Sequence, residues 1–394
     1  MEHKLINVLL IEDNPGDTRL IRELFKEAKG VPTALVCADR LSSGLELLTK
    51  GGVDVVLLDL SLPDSKGFDT FSRVHMHAKE LPVIVLTGLD DEELAMEAVR
   101  DGAQDYITKG AVTSQSLMRS VRFAVERNRK MAAAPHSSRR TSPGKILGFL
   151  ASKGGAGATT VALNTAVILA QQSRNVIALE LRSYGSSFSF QTLQTPARNL
   201  SYLLDLELER IAAEEVQKCL VALPSGVKVI FAPQRADEFR EIQPAHAEAI
   251  IRCAAQLADY VVVDLPADPS AVNQAAAGTC DHVTVVVERS LSGVAAGGCR
   301  VQLLRHWRME ERSISAVIVI KDALGGFMSP ADLETRLGCA IAGVVPPAAE
   351  LCVHSSRTGT PFALLEPENI ASASLIALAE KLAEPAAIRA YSAP

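Results

Sequence analysis

Ser152-Lys153-Gly154-Gly155-Ala156-Gly157-Ala158-Thr159-Thr160 is the stretch on which the fold of the second half of this chain turns. An apolar run, Ile146 to Leu150, precedes it, and an amphipathic helical pattern follows from about Val161 to Gln171. A strand, a glycine-rich loop and a helix N-terminus together aim backbone N–H groups at one point, which is how a chain wraps a phosphate group. The usual phosphate-binding loop carries lysine immediately before its hydroxyl pair. Here that position is Ala158, and another lysine, Lys153, opens the loop.

Outward from the loop, strand and helix patterns alternate. Apolar strands are expected at 146–151, 176–181, 227–232, 260–265, 283–288, 316–320 and 341–345, with helices between most of them, notably 236–257 and 290–308. This is the pattern of a doubly wound parallel α/β sheet. Asp264 closes the run Val261-Val262-Val263. An acid at that strand end can hold Mg²⁺ through water, or simply cap the next helix.

The first 125 or so residues predict a second sheet of the same kind. Leu5 to Ile11 is an apolar strand ending in Glu12-Asp13; Val53 to Leu58 ends in Asp59; Pro82 to Leu86 ends near Thr87; Tyr106-Ile107 ends near Lys109. In an open parallel sheet, ligands sit beyond the carboxyl ends of the strands, and all five polar residues fall there. Three carboxylates in one crevice repel one another unless a hard cation such as Mg²⁺ sits among them. Asp59 can then attack a phosphoryl donor, while Lys109 and the Thr87 hydroxyl neutralise and hydrogen-bond the phosphate that forms. Continuous apolar strands need cover on both faces, so the flavodoxin-like arrangement is the natural expectation.

From Arg127 to Lys145 the periodicity stops: six basic residues, no acid, and a Pro, Ser and Gly-rich run around 135–144. We expect a basic, flexible linker over 127–144. The expected units are therefore 1–126 and 145–385, with a small polar tail at 386–394. A length of 394 residues suits two or three domains. The net charge of −6 speaks against non-specific nucleic-acid binding. Seven scattered cysteines without a C-x-x-C read as reduced thiols. No signal-peptide pattern opens the chain and no apolar run approaches the ~18 residues of a membrane span. The expectation is a soluble cytoplasmic protein.

Residues 4 to about 125 resemble response-regulator receiver domains. The resemblance implies that Glu12 and Asp13 are the acidic metal pair, Asp59 the phospho-acceptor and Ser61 the source of a backbone carbonyl to Mg²⁺. It implies that Thr87 and Tyr106 form the switch pair and that Lys109 senses the phosphate, with a sensor histidine kinase or phosphotransfer protein as partner. Leu62-Pro63-Asp64 and Gly67 fit the loop after the acceptor. Gly110 stands where many members have proline, removing a cis X-Pro bond from that loop.

Residues 145 to about 382 resemble the ParA/MinD ATPases with their deviant phosphate loop, and most closely the CpaE/TadZ branch associated with Flp/Tad pilus assembly. The resemblance implies ATP or ADP with Mg²⁺ in a sandwich homodimer. Lys153 would reach the partner's nucleotide, Thr159 would ligate Mg²⁺, and Thr160 with the backbone of Gly154, Gly155 and Gly157 would hold phosphate. Asp264 would be the acid of the following metal motif, and 350–361 would close over the base.

Two departures bear on turnover. Ala158 removes a cation from the β/γ-phosphates, and Glu180 and Arg182 stand where many members carry two aspartates. Arginine cannot orient a water as a carboxylate does, although it can bind phosphate. Nucleotide binding with slow or absent hydrolysis is expected. The function expected is a phosphorelay response regulator whose output is a dimeric localisation or assembly platform for a pilus or secretion system, recruited to a cell pole or inner-membrane assembly. The alternatives are a cycling ATPase that positions cargo and a DNA-binding partition factor. The last helix, with Lys381 as its one base, lacks the basic face of a membrane-surface helix.

Overall fold

A computed structural model describes residues 5–27, 32–78, 81–88, 103, 105–109, 112–133, 142–172, 174–321 and 328–384. The chain forms two compact units, Met1–Ser138 and Arg139–Pro394. That division falls inside the stretch expected as a linker.

In the first unit, β1 (Ile6–Ile11), β2 (Thr33–Ala38), β3 (Val55–Asp59), β6 (Val83–Thr87) and β7 (Asp105–Thr108) form one parallel sheet in the order β2-β1-β3-β6-β7. A two-residue hairpin, β4 (Ser61–Leu62) with β5 (Ser65–Lys66), follows β3. All five residues of β3 are buried, as a strand covered on both faces requires. The strand period of two divides the core. Val8, Leu10, Val55 and Leu57 pack with Ile21, Leu24 and Phe25 of α1 (Pro15–Glu27) and with Leu117, Val121 and Val125 of α4 (Ser114–Ala133). Leu9, Ile11, Val56 and Leu58 face Leu41 of α2 (Leu41–Lys50) and Phe71 and Val74 of α3 (Phe68–His77). Helices on both faces of a parallel sheet confirm the flavodoxin-like expectation.

Helical structure runs further than the sequence suggests. Helix α4 runs on to Ala133, seven residues past the expected boundary at 126. The stretch from Glu126 to Ala133 holds no Gly or Pro and is rich in Arg, Lys, Ala and Met, all good helix formers. The first breaker is Pro135. A run of basic residues does not by itself end a helix.

Among the described residues, the second unit holds an eight-stranded sheet in the order β10-β11-β9-β12-β8-β13-β14-β15. Its strands are β8 (Lys145–Ala151), β9 (Val176–Glu180), β10 (Val221–Ala222), β11 (Lys228–Ile230), β12 (Tyr260–Leu265), β13 (His282–Glu288), β14 (Ile314–Val319) and β15 (Ala340–Val345). Only the edge pair β10·β11 is antiparallel. Leu147, Phe149 and Val262 point toward α5 (Ala158–Gln171) and the last helix, Ile370–Ala383. Ile146, Leu150, Val261 and Val263 point the other way, toward α6 (Pro244–Leu257), α7 (Ala271–Thr279), α8 (Leu291–His306) and α9 (Pro330–Leu337). Helix α5 is buried from Val161 through Leu169, so it is a central helix and not the amphipathic one expected. The helix expected over 236–257 begins at Pro244, because proline lacks the N–H an interior position needs and is suited to the first turn. The segment 350–361 is mostly helix α10 (Ala349–Thr358). No described helix is long and apolar enough to cross a membrane.

Candidate functional site

The ends of β1, β3 and β7 bring four charges of the first unit together. Carboxylate oxygens of Glu12, Asp13 and Asp59 all lie within 4.8 Å of one another. The Lys109 ammonium sits among acids, with Nζ 2.6 Å from Glu12 Oε2, 2.7 Å from Asp59 Oδ2 and 2.9 Å from Asp17 Oδ2. Burial pushes the Glu12 carboxyl up from the usual range, against the pull of Lys109. Lys109 is held above its ordinary value by these acids, although burial alone would lower it. The Asp59 Oδ1 atom accepts from the Ser61 backbone N–H at 3.0 Å. Buried Thr87 donates its hydroxyl to the Gly88 carbonyl at 3.0 Å. Asp64 accepts from the backbone N–H groups of Leu41 and Ser42, so the loop after Asp59 caps α2, and these bonds hold its carboxyl down to about 2. Three hard oxygen donors this close fit Mg²⁺. Asp17 escaped the sequence reading. Tyr106 lies in β7, but its side chain, like Gly110, falls outside the described residues.

In the second unit, β8 delivers the chain into the loop and α5 leaves it. Gly155 and Gly157 have φ of +74° and +100°, a region where a Cβ is strained, so these two glycines let the backbone turn tightly between β8 and α5. Thr159 stands in the first turn of α5, and Asp264 of β12 is wholly buried. Thr159 Oγ1 donates to Asp264 Oδ2 at 2.8 Å. The expected metal ligands therefore meet, but with an arginine on them. Arg182 Nη2 donates to Thr159 Oγ1 at 2.8 Å and to Asp264 Oδ2 at 2.9 Å. Burial raises the Asp264 carboxyl, and Arg182 and Thr159 oppose that rise.

Glu180, one of the two positions where the resemblance implies an aspartate, is fully buried and builds the turn after β9. It accepts from Ser186 Oγ and the Ser187 N–H, both at 2.5 Å, and from the Ala232 N–H at 3.3 Å. Lys153 does not extend freely: its Nζ is 2.8 Å from Glu288 Oε1, and Lys321 is 3.1 Å from the other oxygen of the same carboxylate. These two lysines hold Glu288 down to about 2. Lys321 also donates to the Gly155 carbonyl of the loop. Glu288 and Lys321 were not anticipated, although both follow the strand-end signal that picked out Asp264. Thr160 lies in α5, where its carbonyl accepts from the Asn164 side-chain amide at 2.9 Å.

Residues 8–122 match the response regulator receiver domain family, and residues 144–310 match an AAA domain family. The receiver region is 34% identical over 119 residues to the C4-dicarboxylate transport transcriptional regulatory protein of Pseudomonas aeruginosa, covering 30% of this chain and 25% of that protein. The chain spans about half or less of the receiver-bearing relatives it matches. The second unit is 24% identical over 237 residues to an uncharacterised ATP-binding protein of Methanocaldococcus jannaschii, covering 58% of this chain and 84% of that one. It superposes on a ParA family ATPase of Chlorobium tepidum with a TM-score of 0.53 at 21% identity, over 61% of this chain and 99% of the other. It also superposes on the septum site-determining protein MinD of Pyrococcus horikoshii, solved with Mg-ADP, with a TM-score of 0.54 at 17% identity, over 62% and 97%. The chain is thus a response regulator receiver domain followed by an AAA domain with the ParA/MinD fold.

Proposed function

We propose that the receiver accepts a phosphoryl group on Asp59 from a sensor histidine kinase or phosphotransfer protein, and that the ParA/MinD-like unit is its nucleotide-binding output. The observation that carries the first half is the meeting of Asp59, Glu12, Asp13 and Lys109 at the carboxyl ends of the sheet. An Asp59 carboxylate oxygen forms the new bond to phosphorus as the donor's bond to phosphorus breaks. Lys109, already 2.7 Å from that carboxylate, keeps its positive charge beside the phosphoryl oxygens. Glu12, Asp13 and Asp59, with the Ser61 carbonyl, would hold Mg²⁺, which supplies further charge neutralisation when bound. The Thr87 hydroxyl then leaves the Gly88 carbonyl for the phosphoryl group, and Tyr106 follows as the second member of the switch.

For the output we favour a dimeric platform with slow or absent hydrolysis, serving a Flp/Tad-type pilus or secretion assembly. Its support is the domain order together with the substitution of Ala158 and Arg182 at positions that serve turnover. Incubation with acetyl phosphate is expected to label the full chain, and Asp59→Asn to abolish the label. Labelling of the variant at the wild-type level would sink the receiver half. Light scattering with ATP should report a doubled mass without steady phosphate release. A monomer in ATP, or sustained turnover, would rule out the platform.

A further inference from the structure

We propose that Arg182 is the resident cation of the phosphate-binding loop, standing where a divalent metal would have to bind, so that this chain takes nucleotide without Mg²⁺. The proposal rests on the nucleotide-binding reading above. Its basis is the arrangement of three side chains. Asp264 is wholly buried, and Oδ2 accepts from both Thr159 Oγ1, at 2.8 Å, and Arg182 Nη2, at 2.9 Å. The same Nη2 is 2.8 Å from Thr159 Oγ1, closing a triangle.

A hydroxyl has one proton and two lone pairs. The Thr159 proton is directed to Asp264 and one lone pair receives the guanidinium, so a cation approaching the other lone pair would stand against a fixed positive charge. Mg²⁺ demands near-octahedral oxygen ligands at close range and usually retains several waters. A guanidinium bonded to both partners keeps a positive charge within 3 Å of this pair, and a divalent metal does not fit the residues as they stand. Asp264 Oδ1 has no hydrogen-bond partner among the described residues, so Arg182 is the counter-charge that lets this carboxylate be buried.

The charge balance of the loop agrees. The position before the hydroxyl pair is Ala158, which carries no cation, while Lys153 and Lys321 share Glu288. An arginine stays protonated at any working pH, and its planar fork suits a phosphate oxygen. About a third of the Arg182 side chain remains exposed, so it is not sealed by Thr159 and Asp264, nor by its longer contacts to Ser187 and Glu180. One fixed positive charge thus replaces an exchangeable double one. This also accounts for why a residue that cannot orient water occupies that position: it serves binding.

The test is calorimetric titration of ATP into the full-length protein, in EDTA and in excess Mg²⁺. Wild type is expected to bind in EDTA at least as tightly as in Mg²⁺. Arg182→Gln, which keeps a neutral hydrogen-bonding group, is expected to lose on the order of tenfold or more in EDTA and to recover part of it in Mg²⁺. Fluorescence of the single Trp307 checks that the variant folds. If it does not fold, Arg182→Lys keeps the charge without the fork, and is expected to weaken in EDTA without gaining from Mg²⁺, whereas tightening by Mg²⁺ would overturn the proposal. Tenfold tightening of wild type by Mg²⁺ overturns the proposal while leaving nucleotide binding intact. So does a folded variant that matches wild type in both buffers. No heat from wild type in either buffer overturns the nucleotide reading, and this proposal with it.

Discussion

At the scale of single residues, each unit places a basic side chain on the acids of its site. In the receiver the fixed cation is Lys109, whose side chain is mostly buried and within 3 Å of Glu12, Asp17 and Asp59. Removing one partner from a buried ionic cluster costs more than the cluster itself contributes, because the partners stay behind unpaired. Lys109→Met is therefore expected to destabilise the metal-free receiver by about 3 kcal/mol. Mg²⁺ should then stabilise the variant by more than it stabilises wild type, since in wild type it competes with an ammonium for the same oxygens. Scanning calorimetry with and without Mg²⁺ measures both shifts. Equal Mg²⁺ shifts in the two proteins would mean that Lys109 and the metal do not compete.

At the scale of elements, small residues decide how closely helix α8 lies on its neighbours. A Cβ at Gly298 would stand 2.9 Å from the Arg336 carbonyl oxygen of α9, whereas one at Gly297 would meet the Leu337 Cδ2 and Val287 Cγ2 methyls at 2.7 and 2.8 Å. Backbone cannot yield as a leucine tip can. Gly298→Ala is expected to cost about 1–2 kcal/mol despite the helix propensity it gains, and Gly297→Ala to cost less, although the stiff Val287 side chain keeps it from being free. Urea denaturation followed at Trp307, which packs on the same core, would order the pair. The reverse order would show that α9 moves as a body. Much of this architecture was legible in the sequence, because apolar runs ending in Asp59 or Asp264 can only be buried parallel strands. What was not legible followed from distance along the chain or from local ambiguity. Asp17 joins Lys109 across 92 positions, which no spacing reveals. Edge strand β2 is only partly buried and so lacks the unbroken apolar run of β3. Arg182 could be seen to replace an acid, but its bond to Thr159 needed β9, β12 and α5 in register.

At the scale of the whole molecule, two compact units share one chain, so a single stability does not describe it. Trp307 is the one tryptophan and lies in the second unit, which lets that unit be followed alone. There, His282 of β13 is 1% exposed, and its Nε2 lies 2.8 Å from Ser315 Oγ. Its Nδ1 has no hydrogen-bond partner among the described residues, and burial pushes the imidazole down from 6.5 to about 4. The sign follows from which state takes the proton. Above pH 6.5 the ring is neutral in both states and contributes no pH dependence. Between about 6.5 and 4 the unfolded chain binds a proton that the folded one refuses, so stability falls as pH falls. The total loss available is about 3 kcal/mol. Urea midpoints at Trp307, taken from pH 7.5 to 4.5, should show this acid limb. In His282→Gln the limb should flatten while the stability at pH 7.5 shifts by a constant amount. If the variant keeps the wild-type slope, the acid sensitivity of this unit lies in other groups, with the buried carboxyls Glu180 and Asp264 excluded by sign, since burial raises both and they lose stability as pH rises.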